Sequence, residues 1–487
     1  MQPICETHPQ LRALSQGLHL TLHSPTVLDQ PVLQGDSDTD AAGASIYGSV
    51  IRDGGLFRMW YQAWPRDWSG GDAVTVACAE SDDGLTWRRP SHGLVECCGT
   101  RDNHLTDLPF HCPSVLIDPN ADADGRFRAF GFTGPNRLGD RFSHSLASDG
   151  YYTARSADGI HWQLESDEPL WPNADVITSV WDPWSNCARI ALKFNGLAAG
   201  MYRRRFYAAT WARGKASRPA SAFIPDEQDD LAAHARGFCT ADYYGVGLMP
   251  TSGPTIGFLW NFRHLPPLGN HEARLFTHYG NIGGVDLSII YQPERNGRWL
   301  HLPGRPDWLA ARDAPEWARG ALYTAASPLD VGDETWLYFT GTTDLHGWCG
   351  HAADSKQFRS ARIDQGGFAR IGLLKWPRNR IIGYRADLPA RLQLAPNPEK
   401  VPEGKLILNA VTRPNGQIRA RLLDDEMNPL PGRDFEDCDP LVGDHLETTV
   451  RWRGQADLPT LPTHHQLTAE LELTDATLYA FDFATSD

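Results

Sequence analysis

The stretches "SDDGLTW" (Ser81–Trp87) and "SADGIHW" (Ser156–Trp162) are two copies of Ser-x-Asp-Gly-x-x-Trp. An Asp-Gly pair after an alternating apolar run makes a tight turn between antiparallel strands, and its recurrence marks a repeated structural module. The module is visible around both copies. The first unit runs "SIYGSVI", "LFRMWYQAW", "AVTVACAES", "TWRRP"; the second runs "CPSVLIDP", "GRFRAFGF", "GYYTARSADG", "IHWQLE". Three less regular units follow, opening on "VITSVWDP", "YYGVGLMP" and "GALYTAASPLD". Five four-stranded units of roughly 60–75 residues predict a five-bladed β-propeller. A blade has two apolar faces and buries them by stacking on its neighbours. The Asp-Gly turn then closes an outer hairpin and the tryptophan packs between blades. Asp83, Gly84, Trp87, Asp158, Gly159 and Trp162 are therefore read as scaffold.

From about Arg378 the repeat stops. "GKLILNAVTRPNGQIRARLL", "HLETTVRW" and "HQLTAELELTDATLYAFDF" show clean period-2 strands, with Asn415-Gly416 suited to a hairpin turn. The expected architecture is all-β: a five-bladed β-propeller over residues 1–385, followed by a C-terminal β-sandwich over 386–487. Composition agrees, since 45 glycines and 35 prolines punctuate a chain rich in tryptophan, tyrosine and phenylalanine. A short helix is expected within Glu227–Gly237.

Charge and cysteine usage narrow the partners. A net charge of −15 opposes nucleic acid, whose phosphates require clustered Lys and Arg. No apolar run is long enough to span a membrane. The start "MQPICETHPQ" lacks a basic and then apolar leader, and nine scattered cysteines show no zinc-ligand spacing, so a reduced cytoplasmic protein is expected, with no metal and no cofactor. His346 and His351 stand five apart in one loop, but no carboxylate spacing completes a metal site around them.

The set "FRMWYQA", "CAESDDGLTWRRP", "RSADGIHW" and "RIDQGGFARI" resembles the five-bladed propeller glycoside hydrolases, the fructan-active and arabinofuranosidase-type clan, some members of which carry a C-terminal β-sandwich. The likeness covers about residues 40–480. The fructan-active signature Trp-x-Asn-Asp-Pro-Asn-Gly is absent from the first blade. The resemblance implies cleavage of a glycosidic bond by carboxyl groups gathered in the propeller funnel, typically three acidic residues. One carboxyl group gives a proton to the leaving oxygen and another acts as base or nucleophile.

Inner strands converge at one end of a propeller axis, so the candidates are polar residues at the mouth of each inner strand. Asp40 precedes the first, Asp175 the third and Asp242 the fourth, and these three are the candidate catalytic acids. His111, Tyr243, Asp286, Glu316 and Arg319 are the candidate substrate-binding residues, and Trp317 a candidate wall. The expected substrate is a small carbohydrate, furanoside-type or other. Sugar, linkage and oligomeric state are left open. Two alternatives stand beside hydrolysis. A noncatalytic carbohydrate-binding propeller would show aromatic platforms without a convergent carboxylate pair. A fructosyltransferase or glycoside phosphorylase is the other; a phosphorylase would need a basic cluster in the funnel, and "MYRRRFY" (Met201–Tyr207) is the basic run available.

Overall fold

Five antiparallel blades follow one another along the chain, each entered through its innermost strand, and a parallel Val285–Ala321 pair joins blades 4 and 5 into one sheet. The computed structural model describes residues 1–68, 73–138, 142, 145–172, 175–198, 201–266, 282–347, 362–395, 404–459 and 467–484. Blade 1 has strands Gly43–Asp53, Leu56–Trp64 and Val76–Ser81. Blade 2 has His111–Ile117, Phe127–Thr133, Gly150–Ser156 and Gln163–Leu164. Blade 3 has Ile177–Asp182, Cys187–Ala198 and Met201–Ala212, edged by Ala220–Phe223. Blade 4 has Thr240–Met249, Thr255–His264 and Gly283–Gln292. Blade 5 has Ala321–Thr324, Glu334–Thr342 and Ala369–Pro377, and its outer strand comes from the other end of the chain, where Val27 pairs with Leu374.

The inner strands hydrogen-bond to one another around the whole ring. Val115 N donates to Ser49 Oγ (3.0 Å) between blades 1 and 2, and Ser179 N to Ser114 Oγ (2.7 Å) between 2 and 3. Thr178 Oγ1 donates to Val246 O (2.6 Å) between blades 3 and 4. Leu248 N donates to Ala326 O and Ala326 N to Gly48 O, both at 2.8 Å, which joins blades 4, 5 and 1. The five blades therefore form a propeller.

The duplicated turn joins blades as well as strands. Asp83 Oδ1 accepts from Leu85 N and Thr86 N, and Ser81 Oγ accepts from Gly84 N. The same bonds recur at Ser156, Asp158, Ile160 and His161. Each turn places a glycine in left-handed backbone, Gly84 at φ 73° and Gly159 at φ 79°, a region only glycine enters freely. The glycine carbonyl then meets an aromatic of the preceding blade: Tyr338 OH donates to Gly84 O (2.7 Å) and Trp60 Nε1 to Gly159 O (2.6 Å).

Two expectations change beyond the propeller. The second domain is one eight-stranded sheet, and Gln2–Pro3, Leu11–Ala13 and Leu18–Leu22 belong to it together with Ile382–Ala386. The chain thus starts in the second domain and enters the propeller afterwards, so its first residues are not part of a 1–385 unit. Asn415-Gly416 makes no hairpin. Lys405–Leu423 is one long strand, and both of its halves pair with Thr468–Ala484 across a register shift between Thr412 and Gln417. Gly416 lies there because a Cβ would stand 2.2 Å from Asp475 O. Side chains from both halves, among them Leu406, Leu408, Ala420, Leu422, Leu471 and Leu478, share a single buried cluster with Trp452. The expected helix spans Glu227–His234, capped by Asp226.

Candidate functional site

Inner-strand alternation, and the bulges that interrupt it, decide what faces the axis. Tyr244 points to Asp175, and Tyr243 points the other way, onto Phe223. Bulges occur at the same end of three inner strands, between Ser45 and Ser49, between His111 and Ser114, and between Tyr243 and Gly245. Bulges bend a strand and re-aim its side chains. Tyr47, Cys112 and Tyr244 lie in these three bulges, and all three reach the axial group.

At the centre of that group is Asp175, just ahead of the blade 3 inner strand. Its backbone has φ 92° and that of Cys112 has φ 52°. Non-glycine residues held there store strain, which concentrates at functional sites. Asp175 Oδ2 accepts from the Lys193 ammonium and from Tyr244 OH (3.2 Å). Oδ1 faces His111 Nε2 at 3.5 Å and Cys112 Sγ at 3.9 Å. Three blades thus hold one carboxylate. Its side chain is 25% exposed, whereas Lys193 is 4% and His111 5% exposed. Burial pushes the Asp175 carboxyl up, but the Lys193 charge and the His111 hydrogen bond outweigh it and hold the group well below its ordinary value. Burial lowers Lys193, and the Asp175 charge partly restores it.

Aromatic rings complete the surroundings. Lys193 Nζ lies 4.1 Å from the Tyr244 ring centroid. The Tyr47, Tyr244 and Tyr323 rings pack on one another at 5.3–5.6 Å, and Tyr323 OH shares a hydrogen bond of 2.7 Å with His346 Nδ1. Burial, then the charges of Arg204 and Lys193, lower His346 to about 3, so it is neutral at physiological pH. Beside His111 stands a wall of Trp64, Trp68 and Phe368, with Trp64 edge-on to His111 at 6.0 Å and Trp68 stacked on Phe368 at 5.4 Å.

The other candidate residues fall in four places. Asp242 lies behind Tyr244, fully buried, bonded to Arg203 (3.1 Å), Arg204 (3.3 Å) and His264 (3.1 Å). Burial raises it, and His264 followed by the two arginines brings it down to about 2. Asp40, also fully buried, accepts from Tyr61 OH (2.8 Å) and Ser37 Oγ (2.8 Å) and pairs with Arg89 (3.2 Å) and His104 (3.4 Å). Burial raises it, and His104 and Arg89 bring it to about 2. Its partners are residues of blade 1 and the loops around it, not those of the Asp175 group. Tyr243 packs between blades 3 and 4, stacked on Phe223 at 5.1 Å and donating to Asp229 Oδ2 (2.6 Å). Asp286 sits in an ion cluster with Arg236, Arg263 and the Ala311 backbone N–H. Glu316 and Arg319 are exposed on either side of the short Glu316–Ala318 turn, and Trp317 is core, stacked on Phe339 with Nε1 donating to Asp29 O.

The structure thus brings Asp175 and His111 together, with Asp242 one layer behind, and places Asp40, Tyr243, Asp286, Glu316 and Arg319 elsewhere. Tyr244 and His346 stand out in the sequence, the first beside Tyr243 as suited to sugar contacts and the second as a metal candidate, whereas Lys193, Tyr47, Tyr323 and Cys112 are the members that sequence reasoning missed. Signals for some were present: Lys193 interrupts the apolar strand "ARIALKF", and "YG" recurs at Tyr47-Gly48 and Tyr244-Gly245. His351 lies outside the described residues. Among the described residues, His111, Cys112 and Asp175 are brought together with one ligand atom each within 4.8 Å of the others, a set able to hold a metal ion.

No family model matches the chain, and no curated protein matches it. Among solved structures it is similar to an exo-β-1,3-galactanase from Phanerochaete chrysosporium, at 10% identity over 93% of this chain and 100% of that one, with a TM-score of 0.39. It is also similar to an N-acetylgalactosamine deacetylase from F. plautii, at 13% identity over 74% and 96%, TM-score 0.41. A Bombyx mori GH32 β-fructofuranosidase is similar at 10% identity over 94% and 95%, TM-score 0.38. At these values the reading of the site rests on its own side chains.

Proposed function

We propose that the protein is a glycoside hydrolase acting on a small carbohydrate, with the axial group around Asp175 as its reactive centre. The observation that carries this reading is Asp175 itself: an ionised carboxylate, open to solvent, on strained backbone beside an aromatic wall. Hydrolysis adds water across the glycosidic C–O bond, with hydroxide going to the anomeric carbon and a proton to the leaving oxygen. A carboxyl held so far below its ordinary value is charged throughout the neutral range, so Asp175 serves as base or nucleophile and not as the acid. Trp68 and Phe368, both partly exposed, offer apolar ring surface for a sugar to pack against, with the buried Trp64 behind them.

A noncatalytic sugar-binding propeller is the second reading, and one observation favours it. Asp40 and Asp242 are fully buried with their oxygens engaged, so neither joins Asp175 as a second solvent-reached carboxylate.

The test is a hydrolysis screen of the purified chain on nitrophenyl furanosides and pyranosides, fructans, arabinans and small plant glycosides, with Asp175→Asn alongside. The expected result is release of one sugar, lowered roughly 10²–10⁴-fold in the variant, the range a positioned base contributes. Release that survives Asp175→Asn removes the axial assignment. Sugar binding by calorimetry without release from any substrate selects the noncatalytic reading.

A further inference from the structure

We propose that His111, Cys112 and Asp175 bind one divalent transition-metal ion of the zinc class at the propeller axis. The inference rests on reading the axial group as the reactive centre but changes the part Asp175 plays: with an ion bound, Asp175 would be a ligand, and a water at the open position would take over the role of base or nucleophile.

The donors are an imidazole nitrogen, a thiolate sulfur and a carboxylate oxygen. That mixture suits zinc and its neighbours and does not suit magnesium or calcium, which take oxygen. The spacing fits as well. Tetrahedral geometry with ordinary zinc bond lengths puts imidazole nitrogen and carboxylate oxygen roughly 3.3 Å apart, and sulfur roughly 3.6 Å from either. The observed separations from Asp175 Oδ1 are 3.5 Å to His111 Nε2 and 3.9 Å to Cys112 Sγ. The two Asp175 separations need a contraction of a few tenths of an ångström, and the His111–Cys112 pair, whose donor atoms lie within 4.8 Å of each other, closes by up to about 1.2 Å.

What lies behind the donors also fits. His111 Nδ1 stands 2.9 Å from Ala73 O. A carbonyl only accepts, so Nδ1 carries the hydrogen and Nε2 is the nitrogen directed at the ion, the arrangement that orients metal-binding histidines. Lys193 and Tyr244 engage Oδ2, which turns Oδ1 toward the other two donors. Left-handed backbone at both Cys112 and Asp175 aims two ligands from different blades at one point. Three protein ligands leave a fourth position for water or a substrate oxygen, as in catalytic rather than structural zinc sites. Charge allows it: two anionic ligands and the Lys193 ammonium around a divalent ion leave one positive charge for a bound hydroxide. The pattern is invisible in sequence because Asp175 enters from a different blade than the adjacent pair His111-Cys112.

The experiment loads the whole chain with Zn²⁺ alone, removes the excess by dialysis and measures metal by mass spectrometry. Co²⁺ is substituted in parallel and the thiolate-to-cobalt absorption band recorded. About one ion per chain is expected, with the cobalt band present in the wild type and absent in Cys112→Ser, and with metal content falling at least tenfold in His111→Ala. Zinc retention by the wild type no greater than by the His111→Ala/Cys112→Ser double variant overturns the proposal, as does a cobalt-loaded wild type without the band. The wild-type spectrum decides the matter even where a variant fails to fold. Hydrolysis is scored separately. Stoichiometric metal without sugar release keeps the ion and removes the glycosidase. Sugar release at full rate from protein that shows no cobalt band keeps the glycosidase and removes the ion.

Discussion

Replacing Lys193 by Met tests the electrostatic core of the site. Met keeps most of the buried methylene stem and deletes the ammonium, so lost packing is a minor part of the effect. The ammonium is 4% exposed, touches Asp175 Oδ2 and lies 4.1 Å from the Tyr244 ring. Removing one partner of a buried pair costs about 3–5 kcal/mol, because a charge remains without its counter-ion. Asp175 is a quarter exposed and still faces His111, which places the expected loss at the lower end. The lost cation–π contact adds about 1 kcal/mol. The expected destabilisation is therefore about 3–4 kcal/mol at pH 7, read from urea denaturation monitored by tryptophan fluorescence. Its pH dependence follows from the carboxyl. In the wild type the folded Asp175 carboxyl is held low, so its contribution is present above the unfolded value and lost only as pH falls through the folded one. Stability from this group is flat between pH 7 and 5. Without the ammonium, His111 alone opposes burial, and the expected result is that burial wins and lifts the folded carboxyl above its unfolded value. A group shifted that way stabilises at low pH and loses its contribution as pH rises, so the penalty of Lys193→Met grows from pH 5 to pH 7. In the double variant Lys193→Met/Asp175→Asn the uncompensated charge is gone, and its cost falls well below the sum of the two single costs. A Lys193→Met loss below about 1 kcal/mol, or strictly additive single and double variants, would refute this account of the pair.

Two further substitutions probe the scaffold and the axis. Gly159→Ala forces an alanine to φ 79° with its Cβ 2.5 Å from the Trp60 ring and disturbs the bond from Trp60 to Gly159 O; about 2–4 kcal/mol of destabilisation is expected from strain plus the lost bond, well above the cost of Gly54→Ala, where φ is also positive but the space is open. Tyr244→Phe removes a hydroxyl from Asp175 Oδ2 and is expected to change the pH profile of sugar hydrolysis with a small loss of stability. Tyr243→Phe removes one from Asp229 and is expected to cost about 1–2 kcal/mol in urea denaturation and leave the profile unchanged; equal effects of the two on the profile would remove the distinction between the strand faces.

The blades were legible because turn chemistry is local. Ser81, Asp83 and Gly84 form their bonds within a few residues of one another, so two copies of a short pattern reveal a module wherever it ends up in space. The inner-strand mouths were legible for the same reason, and Asp175 and His111, which stand at two of them, meet in the structure. Tyr243 packs away from the axis, onto Phe223 and Asp229, and the bulge between Tyr243 and Gly245 sends Tyr244 to Asp175 instead, a feature the alternating pattern does not show. Asp40 stands apart for a different reason. Its position before the first inner strand resembles that of Asp175, but Arg89, His104 and Tyr61 close around it, and those contacts arise from residues far along the chain. The N-terminal strands were assigned to the propeller because they precede it, whereas their pairing with Ile382–Ala386, Ala390–Leu394 and Thr468–Ala484 is set by partners hundreds of residues away. Asn415-Gly416 carries the composition of a hairpin turn, yet pairing along one continuous partner strand overrides it.

Charge accounting at the axis bears on what the site accepts. A phosphorylase needs cations available for phosphate, and the basic run at Met201–Tyr207 is the source that the sequence offers. Arg203 is bonded to Asp242 and Asp230, and Arg204 to Asp242. Arg205 lies over the Tyr207 ring at 5.7 Å. Lys193 is committed to Asp175. Arg203, Arg204 and Lys193 are buried and already paired with acids, and drawing one away to meet an anion would strand a carboxylate in a poorly solvated place, at a cost of several kcal/mol. His346 supplies no charge either, being neutral near pH 7. Before any metal ion binds, an axis whose cations are matched by its own acids suits an uncharged ligand that is recognised by hydrogen bonds and ring stacking. A neutral sugar meets that requirement; a phosphate or a carboxylated sugar does not. Competition between a neutral glycoside and inorganic phosphate for the chelator-treated wild-type site separates the two cases, and displacement of the glycoside by millimolar phosphate there would contradict the matching of charges among the side chains.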